Sequence, residues 1–435
     1  MIKLPIKKLL LPSGLLCALL FFLPFERIPS LDVAGITLRI NIFIGLALIL
    51  VTGFKHWSRP GLLTVEKLGL FMLLVFFVSA LQAMNLGRSL SVIGFTIFVV
   101  LLALAIARSF TVSDLHRMQK WLIAGALVVC GFAFYQFFGD IMQLPHWATG
   151  LRPFYTIEVF SFPRVQAASL EPLYFANYLL LPLALSLALA IYMSFPLWII
   201  ALFYTCFFLT VSRGGIVAAL LLTLLFIGIG IIKKRGGQVI KIVAALFGGA
   251  AMAYVMIVLL IPQLGNLRTS LGSKVEAPIG SKVAKTYQKQ ATNYEYKDTG
   301  SDRARTRAVA LELFQREPIL GVGPGNFGRE AKKLRPYYSE AQTVNNLPLE
   351  LLAETGLAGA AAFVLFAAAL LWKALTVLRK LADGPIKVWL VASFLFLIAA
   401  FLQYQTFSTL YIIHIWAAVG VILGLIRLSR ANEKA

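Results

Sequence analysis

The chain has 435 residues, of which 59% are hydrophobic and only 14% charged, whereas a soluble domain is roughly half apolar and a quarter charged. Its formal net charge of +21 sits in the loops between long apolar runs, so it reads as membrane topology and not as a nucleic-acid surface. The runs are continuous rather than alternating, which argues against a β-barrel.

Taken in chain order, the apolar runs predict twelve transmembrane helices at roughly 9–25, 36–54, 68–86, 89–107, 121–142, 169–193, 195–211, 214–232, 239–261, 347–372, 386–403 and 406–426. The expected fold class is all-α, a polytopic membrane protein. The first run lacks a small-residue cleavage site and is expected to stay as a helix. Cys17, Cys130 and Cys206 all lie inside apolar runs. They read as small buried residues, with neither a disulfide framework nor zinc-ligand spacing.

Lys and Arg gather in alternate short loops. Lys3, Lys7 and Lys8 precede the first span, and Lys55, Arg59 and Lys67 follow the second. Arg108, Arg117 and Lys120 follow the fourth, and Lys233, Lys234, Arg235 and Lys241 follow the eighth. Lys373, Arg379, Lys380 and Lys387 follow the tenth, and Arg427, Arg430 and Lys434 follow the last. Positive loops stay inside, so twelve spans place both termini in the cytoplasm of a bacterial inner membrane.

Two long loops then face outward, at about 143–168 and 262–346. The second holds 14 Lys and Arg against 8 Asp and Glu, but loops this long cross the membrane largely regardless of charge. The expected division is therefore 1–261 for the first nine helices, 262–346 for a large periplasmic loop, and 347–435 for the last three helices. Gly272, Ser273, Gly280, Ser281, Gly300 and Ser301 mark the loop's first half as flexible. A helix is predicted from Asp302, as N-cap, to Phe314, stopped by Glu317-Pro318. No internal repeat of the kind common in secondary transporters is visible.

Three arginines stand out. Arg213 lies in Ser-Arg-Gly-Gly, the short link between two spans, where a guanidinium is costly unless it faces water or an anion. It either snorkels to the outer interface or binds such an anion, and Gly214 and Gly215 allow close backbone approach. Arg164 precedes the sixth span, where Ser169 is a candidate cap and Pro172 falls in the first turn. It is an ordinary loop arginine or part of an anion site at a helix start. Arg303 opens the loop helix, as one residue of a solvated basic face or as a ligand. Arg305 and Arg307 are expected to point away from its face.

The glycine-rich turn Pro318-Ile-Leu-Gly-Val-Gly-Pro-Gly-Asn-Phe, with Gly321 and Gly323, completes no phosphate-loop or dinucleotide pattern. His56, His116, His146 and His414 are scattered, and no pair has metal-ligand spacing. An enzyme built on these residues is expected to need no metal and no cofactor.

In sequence order, these motifs resemble the O-antigen ligase and O-antigen polymerase superfamily. The resemblance rests on Ser212-Arg-Gly-Gly, on Arg303 fifteen residues before the Pro318 turn, and on Asn345-Asn346-Leu-Pro-Leu-Glu-Leu-Leu-Ala-Glu-Thr-Gly running into a span. It covers roughly residues 160–372. It implies a metal-independent membrane glycosyltransferase, glycosyltransferase-C-like in fold. Such an enzyme moves a glycan from an undecaprenyl-diphosphate carrier to a glycan or lipid acceptor hydroxyl, on the periplasmic face and with inversion at the anomeric centre.

By motif position, Arg164, Arg213 and Arg303 match the arginines that hold the diphosphate. Where ligases of the family carry His-Asn, this chain has Asn345-Asn346. An amide orients a hydroxyl but takes no proton at ordinary pH. Glu350, then Glu340 and Glu171, are the candidate bases, although Glu350 also reads as an ordinary acid in the first turn of its helix. The missing histidine favours a polymerase over a lipid A core ligase. Twelve spans also fit a transporter or flippase of lipid-linked or anionic solutes, and a membrane scaffold is a third reading.

Overall fold

The computed structural model describes residues 11–27, 30–33, 36–56, 61–263 and 300–432. Helices lie on all twelve predicted segments: α1 Pro12–Phe22, α2 Ile40–His56, α3 Thr64–Ala80, α4 Leu86–Ile106, α5 Leu115–Ile141, α6 Pro172–Tyr192, α7 Leu197–Thr210, α8 Arg213–Ile232, α9 Gly236–Tyr254, α12 Leu347–Lys380, α13 Pro385–Gln403 and α14 Ile413–Asn432. Among the described residues between α9 and α12 lie two polar helices, α10 Gly300–Arg316 and α11 Phe327–Leu334. Among the described residues, eight helices are long and apolar enough to cross a membrane, and the protein is a polytopic helical membrane protein. The helices α1, α2, α3 and α7 are shorter, so a count of twelve spans rests on the alternation of charged loops.

Several expectations need correction. The segment 36–54 is not helical throughout. Strand β1, Ser30–Val33, pairs antiparallel with β2, Ile36–Arg39, and the helix starts only at Ile40. The helix expected to begin at Asp302 begins at Gly300. Ser169 does not cap α6. Glu171 holds the N-cap position, and the Ser169 N–H instead bonds the Gln166 carbonyl at 3.0 Å. Proline at the first helical position fixes that start, because it needs no N–H acceptor there. The glycines and serines of the loop's first half at 272, 273, 280 and 281 lie outside the described residues.

The chain forms two compact units. The first comprises Met1–Leu19, Ile42–Met118 and Gly300–Ala435, and the second Leu20–Asn41 and Gln119–Thr299.

In the first unit, α3 packs on α12, α4 on α14, and α13 on α14. Glu66, with its side chain wholly buried in the first turn of α3, ties these layers together. Its carboxylate takes the Leu63 N–H at 2.8 Å, Arg108 at 3.3 Å and Arg427 at 2.5 Å. Two guanidinia and a backbone donor supply what a buried carboxylate loses when it leaves water.

In the second unit, α6 is the core helix. Its most apolar stretch is 94% buried, so it faces protein rather than lipid. The α8 helix packs against it where Gly215 leaves room for the Ala176 methyl. The Tyr204 hydroxyl meets Thr223 Oγ1 at 2.5 Å between α7 and α8.

Glu26, in the turn after α1, is buried, and burial pushes its carboxyl up to about 7. The folded protein therefore holds a proton there that the unfolded chain has released, and stability falls as pH rises from about 4.5 to 7. Replacing Glu26 with Gln is expected to flatten that part of the profile. Thermal unfolding in detergent between pH 4.5 and 8 measures it, and an unchanged slope in the variant would refute the assignment.

Candidate functional site

The second unit brings Arg164 and Arg213 to one corner. The α7 helix ends at Val211, in a left-handed conformation with φ 48°. Ser212 then caps α8, its hydroxyl accepting the Gly215 N–H at 3.4 Å. Arg213 is the first residue of α8 and is exposed. Arg164 reaches the same corner from the loop before α6. Its Nε donates to the Thr210 carbonyl at 3.3 Å and its Nη2 to the Val211 carbonyl at 3.4 Å. Its guanidinium lies over the Phe160 ring at 4.6 Å and near Tyr155 at 5.6 Å. An arginine fixed by backbone and rings loses less rotamer freedom on meeting a ligand. Gly214 is half-buried beside Arg213. Glu171 stands at the start of α6 in this unit.

The first unit brings together Arg303, Asn345, Asn346 and Glu350. Thr306, buried on α10, donates to the Arg303 carbonyl at 3.0 Å and to the Val344 carbonyl at 3.4 Å. The Arg303 turn of α10 thus packs on the chain just before Asn345. Asn345 is left-handed, with φ 55°, a conformation asparagine tolerates better than most residues. Asn346 caps α12 by accepting the Leu349 N–H at 3.1 Å, and its amide donates to Gln405 Oε1 at 3.0 Å. Glu350 Oε2 accepts the Val344 N–H at 2.9 Å and the Ser408 hydroxyl at 2.6 Å. The carboxylate thereby closes the turn that presents the two asparagines. Glu340 is different. It is exposed and paired with Lys332 at 3.0 Å, and that bond holds its carboxyl below the usual range.

Arg307 departs from expectation. It lies four residues after Arg303, so on a helix the two share a face. Its Nη2 donates to the Gln405 carbonyl at 3.0 Å. Arg305, two residues from each, is exposed. A helix repeats about every 3.6 residues, so Arg303 and Arg307 coincide in direction while Arg305 diverges, whereas alternate residues share a face only in a strand.

Gly321 and Gly323 belong to a dock between the Pro318 turn and a break in α12. Gly356 interrupts the helix at φ 61°, opposite Gly321 at φ 68°. Backbone bonds cross the break: Val322 N–H to Ala353 O at 3.0 Å, Gly323 N–H to Glu354 O at 2.8 Å, Leu357 N–H to Pro318 O at 2.8 Å, and Ala358 N–H to Ile319 O at 3.1 Å. Glu354 accepts the Gly325 and Phe327 N–H groups at 2.7 and 3.0 Å, which holds the start of α11. Gln82 Nε2 donates to the Gly321 carbonyl at 2.5 Å, and the Ser89 hydroxyl to the Pro324 carbonyl at 2.8 Å. Both glycines therefore face protein.

Sequence reasoning missed Arg307, Glu354, Gln405 and Ser408. The signals were present. Glu354 stands one helical turn after Glu350. Gln403, Gln405, Thr406 and Ser408 form a polar interruption between two apolar runs that is longer than a plain connection needs. Among the described residues, no three His, Cys, Asp or Glu side chains gather as metal ligands.

Residues 195–364, from just before α7 into α12, match the family model described as O-antigen ligase. No curated protein matches the chain.

Proposed function

Because residues 195–364 match the family model described as O-antigen ligase, we propose that the chain moves a glycan from an undecaprenyl-diphosphate carrier to an acceptor hydroxyl. The transfer takes place on the periplasmic side of the inner membrane and without a metal. The observation that carries this reading is the packing of the Arg303 turn of α10, through Thr306, on the chain that leads into Asn345, Asn346 and Glu350, with an arginine pair, Arg164 and Arg213, on one corner of the second unit.

The acceptor oxygen attacks the anomeric carbon as the bond from that carbon to the phosphate oxygen breaks. The electron pair leaves on the carrier diphosphate. Arginines aimed at those oxygens stabilise the charge more in the transition state than in the donor. Their planar forks suit phosphate oxygens and never deprotonate. Glu350 takes the acceptor proton. Its Oε2 is held by Val344 and Ser408, and Oε1 takes part in neither bond. Asn345 orients that hydroxyl through its amide. The acceptor is a glycan chain for a polymerase or a lipid-borne sugar for a ligase.

Two experiments follow. Purified protein is expected to retain full transfer activity in excess EDTA. Loss on chelation, restored by magnesium or manganese, would reject a mechanism built on arginine alone. Reporter fusions after residue 300 are expected to read as periplasmic and those after residue 380 as cytoplasmic. The reverse at either point would overturn the twelve-span topology.

A further inference from the structure

The guanidinium of Arg307 is satisfied at one corner only. Its Nη2 donates to the Gln405 carbonyl at 3.0 Å. Its Nε is buried and meets no acceptor among the described residues. A buried donor on a cation without an acceptor is costly, and proteins rarely leave one so. Arg303 stands one turn earlier on the same face, where two like charges repel. Both arginines are half-buried, and Thr306 between them anchors this face to Val344. The Gln405 side chain, through Asn346, links Arg307 to the Asn345 turn. A face that presents two half-buried cations one turn apart suits a dianion with oxygens on adjacent centres, which is the chemistry of a diphosphate.

We propose that Arg307 is a further ligand of the donor's diphosphate, acting beside Arg303, with Gln405 fixing the guanidinium's orientation. The inference rests on the proposed function for the identity of the donor, but the anion chemistry stands on this geometry alone. On this assignment, Arg305, exposed on another face, takes no part.

The probe is inorganic diphosphate, titrated calorimetrically into the purified full-length protein in nanodiscs, with inorganic phosphate for comparison. The wild type is expected to bind diphosphate more tightly than phosphate. Arg307→Gln is expected to weaken diphosphate binding about ten- to a hundredfold, the worth of one charge-assisted hydrogen bond. Arg307→Lys keeps the charge but not the fork, and is expected to fall between the two. Arg305→Gln is expected to bind as the wild type does. Melting temperatures of all variants check folding. Wild-type affinity in Arg307→Gln, or equal losses in Arg305→Gln and Arg307→Gln, would overturn the assignment, as would a wild type that does not bind diphosphate. Binding that depends on Arg307 in a protein that transfers no glycan would sink the proposed function and leave this site standing.

Discussion

Replacing Arg213 or Arg303 with lysine is expected to leave the protein inserted at normal levels and to cut glycan transfer on the order of 10²–10³-fold, the usual cost of one lost electrostatic stabiliser. The reason is geometric. Lysine keeps the positive charge but presents a single point donor where arginine presents a planar fork. Arg213 is held at the first turn of α8 by the Ser212 cap, with Arg164 fixed on the two carbonyls just before it. Arg303 is held by the packing of Thr306 on Val344. Neither substitution touches the buried pairing of Glu66 with Arg108 and Arg427, and lysine keeps the charge at either position, so folding is expected to survive. Glycan chain length on a gel, normalised to protein level, reads the outcome. Full-length glycan from both variants would refute the role given to these arginines.

The second large effect is expected at the break in α12. Gly321 and Gly356 both have positive φ, and a Cβ on either would overlap the backbone of the facing segment. An L side chain in that conformation costs about 1–2 kcal/mol, and overpacking adds about 1–3 kcal/mol. The sum is a large fraction of the roughly 5–15 kcal/mol that holds a domain folded. Gly356→Ala and Gly321→Val are therefore expected to lower the melting temperature markedly and to release the Pro318 turn to protease. Gly384→Ala is the control. Gly384 stands before α13 with extended backbone and open space around it, and its substitution is expected to be silent. Equal melting temperatures for Gly356→Ala and Gly384→Ala would contradict the dock.

The helices were legible because membrane crossing imposes a long, continuous apolar run, and that signal needs no partner to be read. The hairpin at 30–39 was not, because four-residue strands beside an apolar helix leave no period of their own. Among the site residues, Asn345, Asn346 and Glu350 were visible because they lie together in the chain. Gln405 and Ser408 show in the sequence only as a polar interruption, and their meeting with that turn does not, because they reach it from about sixty residues away. The roles of Gly321 and Gly323 turn on Gly356, whose positive φ follows from tertiary docking and not from helix propensity. Arg307 needed no tertiary information. The four-residue spacing from Arg303 already placed both on one face.

Transfer of glycan from a lipid diphosphate is read by turnover of a defined undecaprenyl-diphosphate-linked glycan by the purified protein, with product glycan and released undecaprenyl diphosphate both quantified. The two products are expected in equal amounts, formed by the wild type even in EDTA and almost not at all by Arg303→Lys. Intact donor after incubation with active-folded wild type and a supplied acceptor, or glycan transfer undiminished in Arg303→Lys, would contradict it.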